Sequence, residues 1–120
     1  ILSGNFPQGY QTVLPHYWNT AGIDEFVLDY ANRDMAGIDF LKNCPKDKGV
    51  QVGVLDIRTN MLESPEVIAQ RTREVLKYLS PEQVTLSSDC GLKPLPRMVA
   101  KLKLKALAEG AAIVRKEIGG

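Results

Sequence analysis

The stretch VQVGVLDIRTN, residues 50–60, decides the fold of this chain. Residues 50–57 predict a buried β-strand, because they form a short apolar run rich in β-branched side chains. Polar side chains lie at the end of this strand, at Asp56, Arg58, Thr59 and Asn60, so the strand ends in groups that can bind or react. Ser64 and Pro65 then predict a helix start, since serine suits the N-cap and proline the first helical position. The stretch is typical of one βα unit.

The same βα pattern occurs four times along the chain. The other predicted strands are Ile1–Leu2, Phe26–Leu28 and Val84–Leu86, and the predicted helices cover residues 10–20, 34–43, 65–79 and 96–118. Strands that alternate with helices of this length predict an α/β fold with parallel strands and right-handed crossovers. Burial on both faces of a parallel sheet explains why the strands are apolar runs.

Polar or reactive side chains follow every predicted strand. They are Ser3 and Asn5; Asp29, Asn32 and Arg33; Asp56, Arg58, Thr59 and Asn60; and Ser87, Ser88, Asp89 and Cys90. The carboxyl ends of parallel strands lie at one edge, which carries the active site in (β/α)8 barrels and in doubly wound sheets alike. The pattern therefore predicts one functional edge without separating the two folds. Four strands cannot close a barrel of about 250 residues, so we expect a missing half upstream or in a second chain.

The composition excludes several classes of protein. Hydrophobic residues make up 44% and charged residues 24% of the chain, as in an ordinary globular protein. The net charge of +1 predicts no nucleic-acid partner. No apolar run is long enough for a transmembrane helix, so no membrane association is expected. The densest basic stretch, Lys101, Lys103 and Lys105, is interpreted as the solvated face of the last helix.

We expect different roles for the two cysteines. Two are too few for the disulfide framework of a small secreted domain, which favours reduced thiols in a cytoplasmic protein. Cys90 follows the last strand directly, so it is either a zinc ligand or nucleophile, or a small buried apolar residue. Cys44 lies in the loop before a strand, and we expect it to be structural. Asp29 and Asp56 end apolar strands, and each either pairs with a nearby arginine or serves a substrate or metal.

The motif Asp89–Lys93 (DCGLK) precedes a long amphipathic helix. It resembles the terminal motif of the cobalamin-independent methionine synthases and is the most specific of several such resemblances. Gly53–Ile57, Leu28–Ala31 and Gly4–Asn5 support it. The resemblance covers nearly the whole chain and implies a (β/α)8 TIM barrel. Residues 1–120 would then be its C-terminal half, the last four βα units, with the upstream half absent from this chain.

The resemblance also implies an activity and a metal. Members of this family move a methyl group from a folate to the thiol of homocysteine, giving methionine, and zinc activates the thiol. Carried over to this chain, Cys90 matches the last zinc-binding cysteine, and Asp29 stands in place of a family glutamate near the metal. The family histidine would precede Ile1, and Leu2 occupies the position of the first cysteine, where it cannot bind zinc. Homocysteine or another thiol and a methyl-folate are the expected substrates, and the expected substrate-binding residues are Asn5, Asp56, Arg58, Ser88 and Asp89.

Two alternatives remain open from the sequence. One is a metal-independent barrel enzyme resembling uroporphyrinogen decarboxylase, in which Asp29, Asp56 and Arg58 bind the substrate. Leu2 favours this alternative over a zinc enzyme. The other is a non-catalytic half-barrel whose open strand edges pair with another chain or copy.

Overall fold

The computed structural model of the chain describes residues 14–119. Its main elements are α1 (Leu14–Tyr17), β1 (Glu25–Asp29), β2 (Gly49–Leu55), α2 (Pro65–Leu76), β3 (Val84–Ser88) and α3 (Arg97–Glu117). Short 3₁₀ helices cover Ala31–Arg33, Ile38–Asn43 and Pro81–Gln83. The predicted strand Ile1–Leu2 and residues 10–13 of the predicted helix at residues 10–20 lie outside the described residues. In the described part of that prediction, the helix covers only Leu14–Tyr17.

The described strands form one parallel sheet in the order β1-β2-β3. Val52 is in register with Leu28 of β1 and with Leu86 of β3. The central strand is buried, and the side chains of Val50, Val52 and Val54 are fully enclosed. The parallel α/β arrangement predicted from the apolar runs is therefore confirmed for residues 14–119.

The end of β2 differs from the prediction. The strand was expected to continue to Ile57, but it ends at Leu55. The backbone N–H of Asp56 leaves the sheet and donates to Glu63 Oε2 at 2.8 Å. The ladder to β3 also shifts register between Gly53 and Leu55. A side-chain acceptor from the following loop thus replaces the strand partner, which the apolar pattern could not reveal.

The prediction of one continuous helix over residues 34–43 is wrong. Asp34 and Met35 have φ values of 50° and 61°, in the left-handed region, and Gly37 follows at 81°. A right-handed helix cannot pass through such residues. A 3₁₀ helix, Ile38–Asn43, forms only after this turn, and it buries Leu41.

The two long helices pack closely against each other. The Ser64 side chain caps α2 by accepting from Val67 N at 3.2 Å, as predicted, and Pro65 begins the helix. A β-carbon placed on Gly110 of α3 would lie 2.5 Å from Cβ of Ile68 in α2. Only a residue without a side chain allows this separation. None of the helices within residues 14–119 has both the length and the apolarity to cross a bilayer.

The interpretation of the lysine stretch in α3 is wrong for Lys103. Lys101 and Lys105 are exposed, but Lys103 is completely buried. The reason is helical geometry, because residues two apart point to nearly opposite sides of a helix, whereas residues four apart share a side. Lys103 therefore points inward, toward the loop after β2.

Candidate functional site

The carboxyl ends of all three described strands meet at one edge of the sheet. Asp29 is the last residue of β1, Asp56 follows β2, and Asp89 and Cys90 follow Ser88 at the end of β3. The backbone N–H of Asp89 donates to Leu55 O at 2.9 Å, which continues the contact between β3 and β2. We call this edge the mouth. The predicted residue Asn5 lies outside the described residues.

Asp89 joins the loop after β1 to the end of β3. Its Oδ1 accepts the N–H of Ala31 at 3.1 Å, and its Oδ2 accepts the N–H of Asn32 at 2.7 Å. These N–H groups open a 3₁₀ helix, where the backbone has no internal partner for them. Asp89 was predicted to bind substrate, and in the described structure its carboxylate holds the backbone of the mouth.

The ionisation of Asp89 reflects its surroundings. Burial raises the pKa of its carboxyl to about 6, although the N–H groups of Asn32 and Ala31 oppose the rise. The negative charges of Asp29 and Asp56 raise this pKa further. Three predicted site carboxylates are therefore close enough to repel one another, and a cationic ligand group beside them would relieve that repulsion.

Gly53 is required beneath the mouth. A β-carbon at this position would lie 2.2 Å from Asp89 Oδ1, 2.9 Å from Asp89 Cα and 3.2 Å from Asp29 Cα. This role of Gly53 was not predicted from the sequence. A glycine inside an otherwise apolar strand is itself a signal that another group approaches closely.

Asp29 and Asp56 have polar neighbours on the mouth. Asn32 Nδ2 donates to Asp29 Oδ2 at 2.7 Å, and the Arg33 guanidinium lies 4.0 Å from Asp29 Oδ1. Asp56 Oδ1 accepts the backbone N–H of Arg58 at 3.0 Å, with Arg58 Nε at 3.4 Å. Both aspartates therefore have an arginine beside them, which is one of the two roles that the sequence left open for each.

Arg58 connects two strand ends. Its guanidinium donates to Asn32 O at 2.7 Å, across from the loop after β2 to the loop after β1. Burial alone would raise the pKa of Asp56, but hydrogen bonds and charge from Arg58, together with the charge of Lys103, bring it below its ordinary value. The Arg58 side chain is 63% exposed, so this cation is accessible at the mouth.

A buried ionic network supports the loop after β2. Lys103 Nζ donates to Asp56 O at 2.9 Å, Met61 O at 2.8 Å and Glu63 Oε1 at 2.6 Å. Arg71 donates to Glu63 Oε2 at 2.9 Å and to Val54 O at 2.7 Å. Burial by itself would raise the pKa of Glu63, but these donors hold it below its ordinary value. This network was not predicted from the sequence, because Lys103 was expected to lie in solvent.

The two cysteines lie in contrasting environments. Cys90 is exposed at the mouth, and its carbonyl accepts the Ser88 hydroxyl at 2.6 Å. Cys44 is buried before β2, as expected for a structural residue, and burial raises the pKa of its thiol to about 11. Both thiols are free. Only Cys90 is therefore placed to meet a metal ion or a substrate.

The described residues do not supply a complete metal site. Within residues 14–119, no group of three or more His, Cys, Asp or Glu side chains could hold a metal ion. A catalytic zinc is usually held by three protein ligands. Cys90 can contribute one donor, and a set of three ligands needs at least one group from outside the described part of the chain.

The fold and the mouth together define a class of protein. An open parallel α/β sheet with acidic, basic and thiol groups beyond its carboxyl ends has the layout of α/β enzymes. Within that class, residues 10–113 match the family described as "Cobalamin-independent synthase, Catalytic domain". The chain belongs to this family.

Individual relatives agree with the family match. The chain is 36% identical to a methionine synthase of Thermococcus kodakarensis and 38% identical to one of Pyrococcus furiosus, in each case over 88% of this chain and 31% of the relative. It is similar to the solved structure of a B12-independent methionine synthase from Shewanella sp. W3-18-1 in complex with selenomethionine. That similarity has a TM-score of 0.83 at 33% identity, covering 91% of this chain and 31% of the other. The chain thus spans about a third of the length of these relatives.

Proposed function

We propose that this chain is part of a cobalamin-independent methionine synthase, which moves a methyl group from a folate-type donor to the thiol of homocysteine. The observation that carries the proposal is the family match over residues 10–113, combined with an exposed Cys90 at the mouth. Methionine is then the product. The free thiols Cys44 and Cys90 support a cytoplasmic location.

We further propose that the chain is the C-terminal half of a (β/α)8 barrel. Two features support this: the relatives are about three times as long, and β1 and β3 are edge strands of the described sheet. Beside β3 lies a groove of about 500 Å³ whose walls include Val84, Leu86, Leu107 and Val114. A further βα unit from the other barrel half would pair with this edge and cover the groove. We use "full-length protein" for this chain together with that half.

Zinc is the proposed cofactor, with Cys90 as one ligand and Asp29 as a ligand or a neighbour of the metal. The exposed thiol fits this role, since a thiolate is a strong zinc ligand. Bound zinc would hold the homocysteine sulfur as a thiolate, the reactive form. This chain's own contribution is positional: Asp89 fixes the loops of the mouth, and Arg58 offers a cation for a substrate carboxylate.

A metal-independent barrel enzyme is the second candidate. It is favoured by the accessible Arg58 beside Asp56. In that case Arg58 and the aspartates would bind the substrate, and Cys90 would be dispensable. The two candidates differ in whether activity requires the Cys90 sulfur.

The activity of the full-length protein tests the proposal. We expect the wild type to form methionine from homocysteine and a methyl-folate. We expect Cys90→Ser to lose at least about 100-fold in rate, because even indirect partners of a metal ligand are worth about 10–100-fold. Cys44→Ser, the same change away from the mouth, should retain activity. No methionine from the wild type would refute the function, and an active Cys90→Ser would favour the second candidate.

A further inference from the structure

Lys103 is an unusual residue for the inside of this fold. It is fully buried on α3, and its ammonium donates to three acceptors in the loop after β2. Burying an ammonium costs several kcal/mol, of which ionic contacts often recover only part, and a well-packed apolar residue is frequently as stable. Stability alone therefore does not account for a lysine at this position.

The three acceptors of Lys103 all belong to residues 56–63. Two are the backbone carbonyls of Asp56 and Met61, and the third is the carboxylate of Glu63. One ammonium thus fixes the beginning, the middle and the end of the loop. The other oxygen of Glu63 accepts the N–H of Asp56, which ties the two ends of the loop together.

The held loop carries polar groups of the mouth. Its first residue, Asp56, accepts two donors of Arg58 through Oδ1, and Arg58 in turn reaches Asn32 O after β1. The position of the Asp56 backbone therefore decides where the Arg58 guanidinium lies. Lys103 acts on the mouth through Asp56, although it does not line the mouth itself.

We infer that Lys103 is a positioning residue, which locks the loop of residues 56–63 so that Asp56 and Arg58 are presented to the substrate. The inference rests on the proposed function only for its kinetic readout. Its structural part, an immobilised loop, can be measured independently.

The test is Lys103→Met in the full-length protein. Methionine has a similar length but no donors, and Glu63 keeps its partner Arg71, so buried charge remains balanced. We expect KM for homocysteine to rise at least about 10-fold with a smaller change in kcat, because small misplacements at a site cost up to about 100-fold. We also expect faster amide hydrogen exchange confined to residues 56–63.

Two further variants make the result decisive. Lys105→Met is the same change on an exposed part of the same helix, and it should match the wild type in both measurements. Lys103→Gln keeps a shorter donor and should give intermediate values, and it carries the test if Lys103→Met does not fold. Exchange and KM equal to those of Lys105→Met would overturn the inference. An inactive wild type would instead count against the proposed function, while exchange would still test the loop.

Discussion

Glu63→Gln is expected to destabilise the protein by about 3–5 kcal/mol, the usual cost of removing one partner from a buried ionic group. Glu63 accepts from Lys103, Arg71 and the backbone N–H of Asp56, and its side chain is 9% exposed. Glutamine has nearly the same shape, but its NH2 group would replace one of the two carboxylate oxygens. That NH2 group would then face donors that need an acceptor. Two cations would also lose their counter-charge. Chemical denaturation of the purified protein measures the change.

The acid dependence of stability gives a second readout of the same variant. The folded-state pKa of Glu63 lies below its ordinary value of 4.5, so the unfolded chain binds the proton more readily than the folded one. The contribution of Glu63 is therefore fully present above pH 4.5 and is lost as the pH falls through the lower folded value. Glu63→Gln should lack this part of the acid-induced loss of stability.

Glu66→Gln is the matched control. Glu66 also pairs with an arginine, Arg73, but its side chain is 67% exposed. Exposed pairs contribute about 1 kcal/mol or less, so this variant should remain close to the wild type. Equal effects of the two substitutions would contradict the assignment of Glu63 to a buried network.

Gly53→Ala is expected to damage both stability and activity. The added methyl group would lie 2.2 Å from Asp89 Oδ1 and 2.9 Å from Asp89 Cα, so the backbone at Asp89, just after β3, must move. Overpacking of this kind costs about 1–3 kcal/mol. Because Asp89 holds the loop after β1 and precedes Cys90, we expect a displaced mouth and up to about 100-fold lower activity of the full-length protein.

Gly91→Ala provides the comparison for Gly53→Ala. Gly91 lies two residues after Asp89, and among residues 14–119 nothing beyond its own chain neighbours lies within 4 Å of a β-carbon built there. Its free energy of unfolding should therefore stay within about 0.5 kcal/mol of the wild type, as for most surface changes. If Gly53→Ala were equally harmless, the close approach of Asp89 to β2 would be wrong.

The strand pattern and the functional edge could be predicted from the sequence because both follow from local rules. Apolar runs such as residues 50–57 identify buried parallel strands, and the polar residues at their ends identify the edge where Asp29, Asp56 and Asp89 lie. The DCGLK motif added the family. These inferences needed no knowledge of which side chains meet across the sheet.

The remaining features depend on contacts between distant residues. Lys103 could be placed inside only by following its direction around α3, and its acceptors lie 40 or more residues away along the chain. The end of β2 depends on a side chain from its following loop, Glu63. The turn at Asp34 and Met35 uses left-handed conformations that neither residue type requires. Composition and periodicity contain none of this information.

The zinc content of the purified full-length protein tests the central claim most directly, which is that the Cys90 sulfur serves a metal at the mouth. Three proteins are compared: the wild type, Cys90→Ser and Cys44→Ser. The account predicts about one zinc ion per chain in the wild type and in Cys44→Ser, and far less in Cys90→Ser, because serine is a poor substitute for a thiolate ligand. Equal zinc in Cys90→Ser and the wild type would contradict the account.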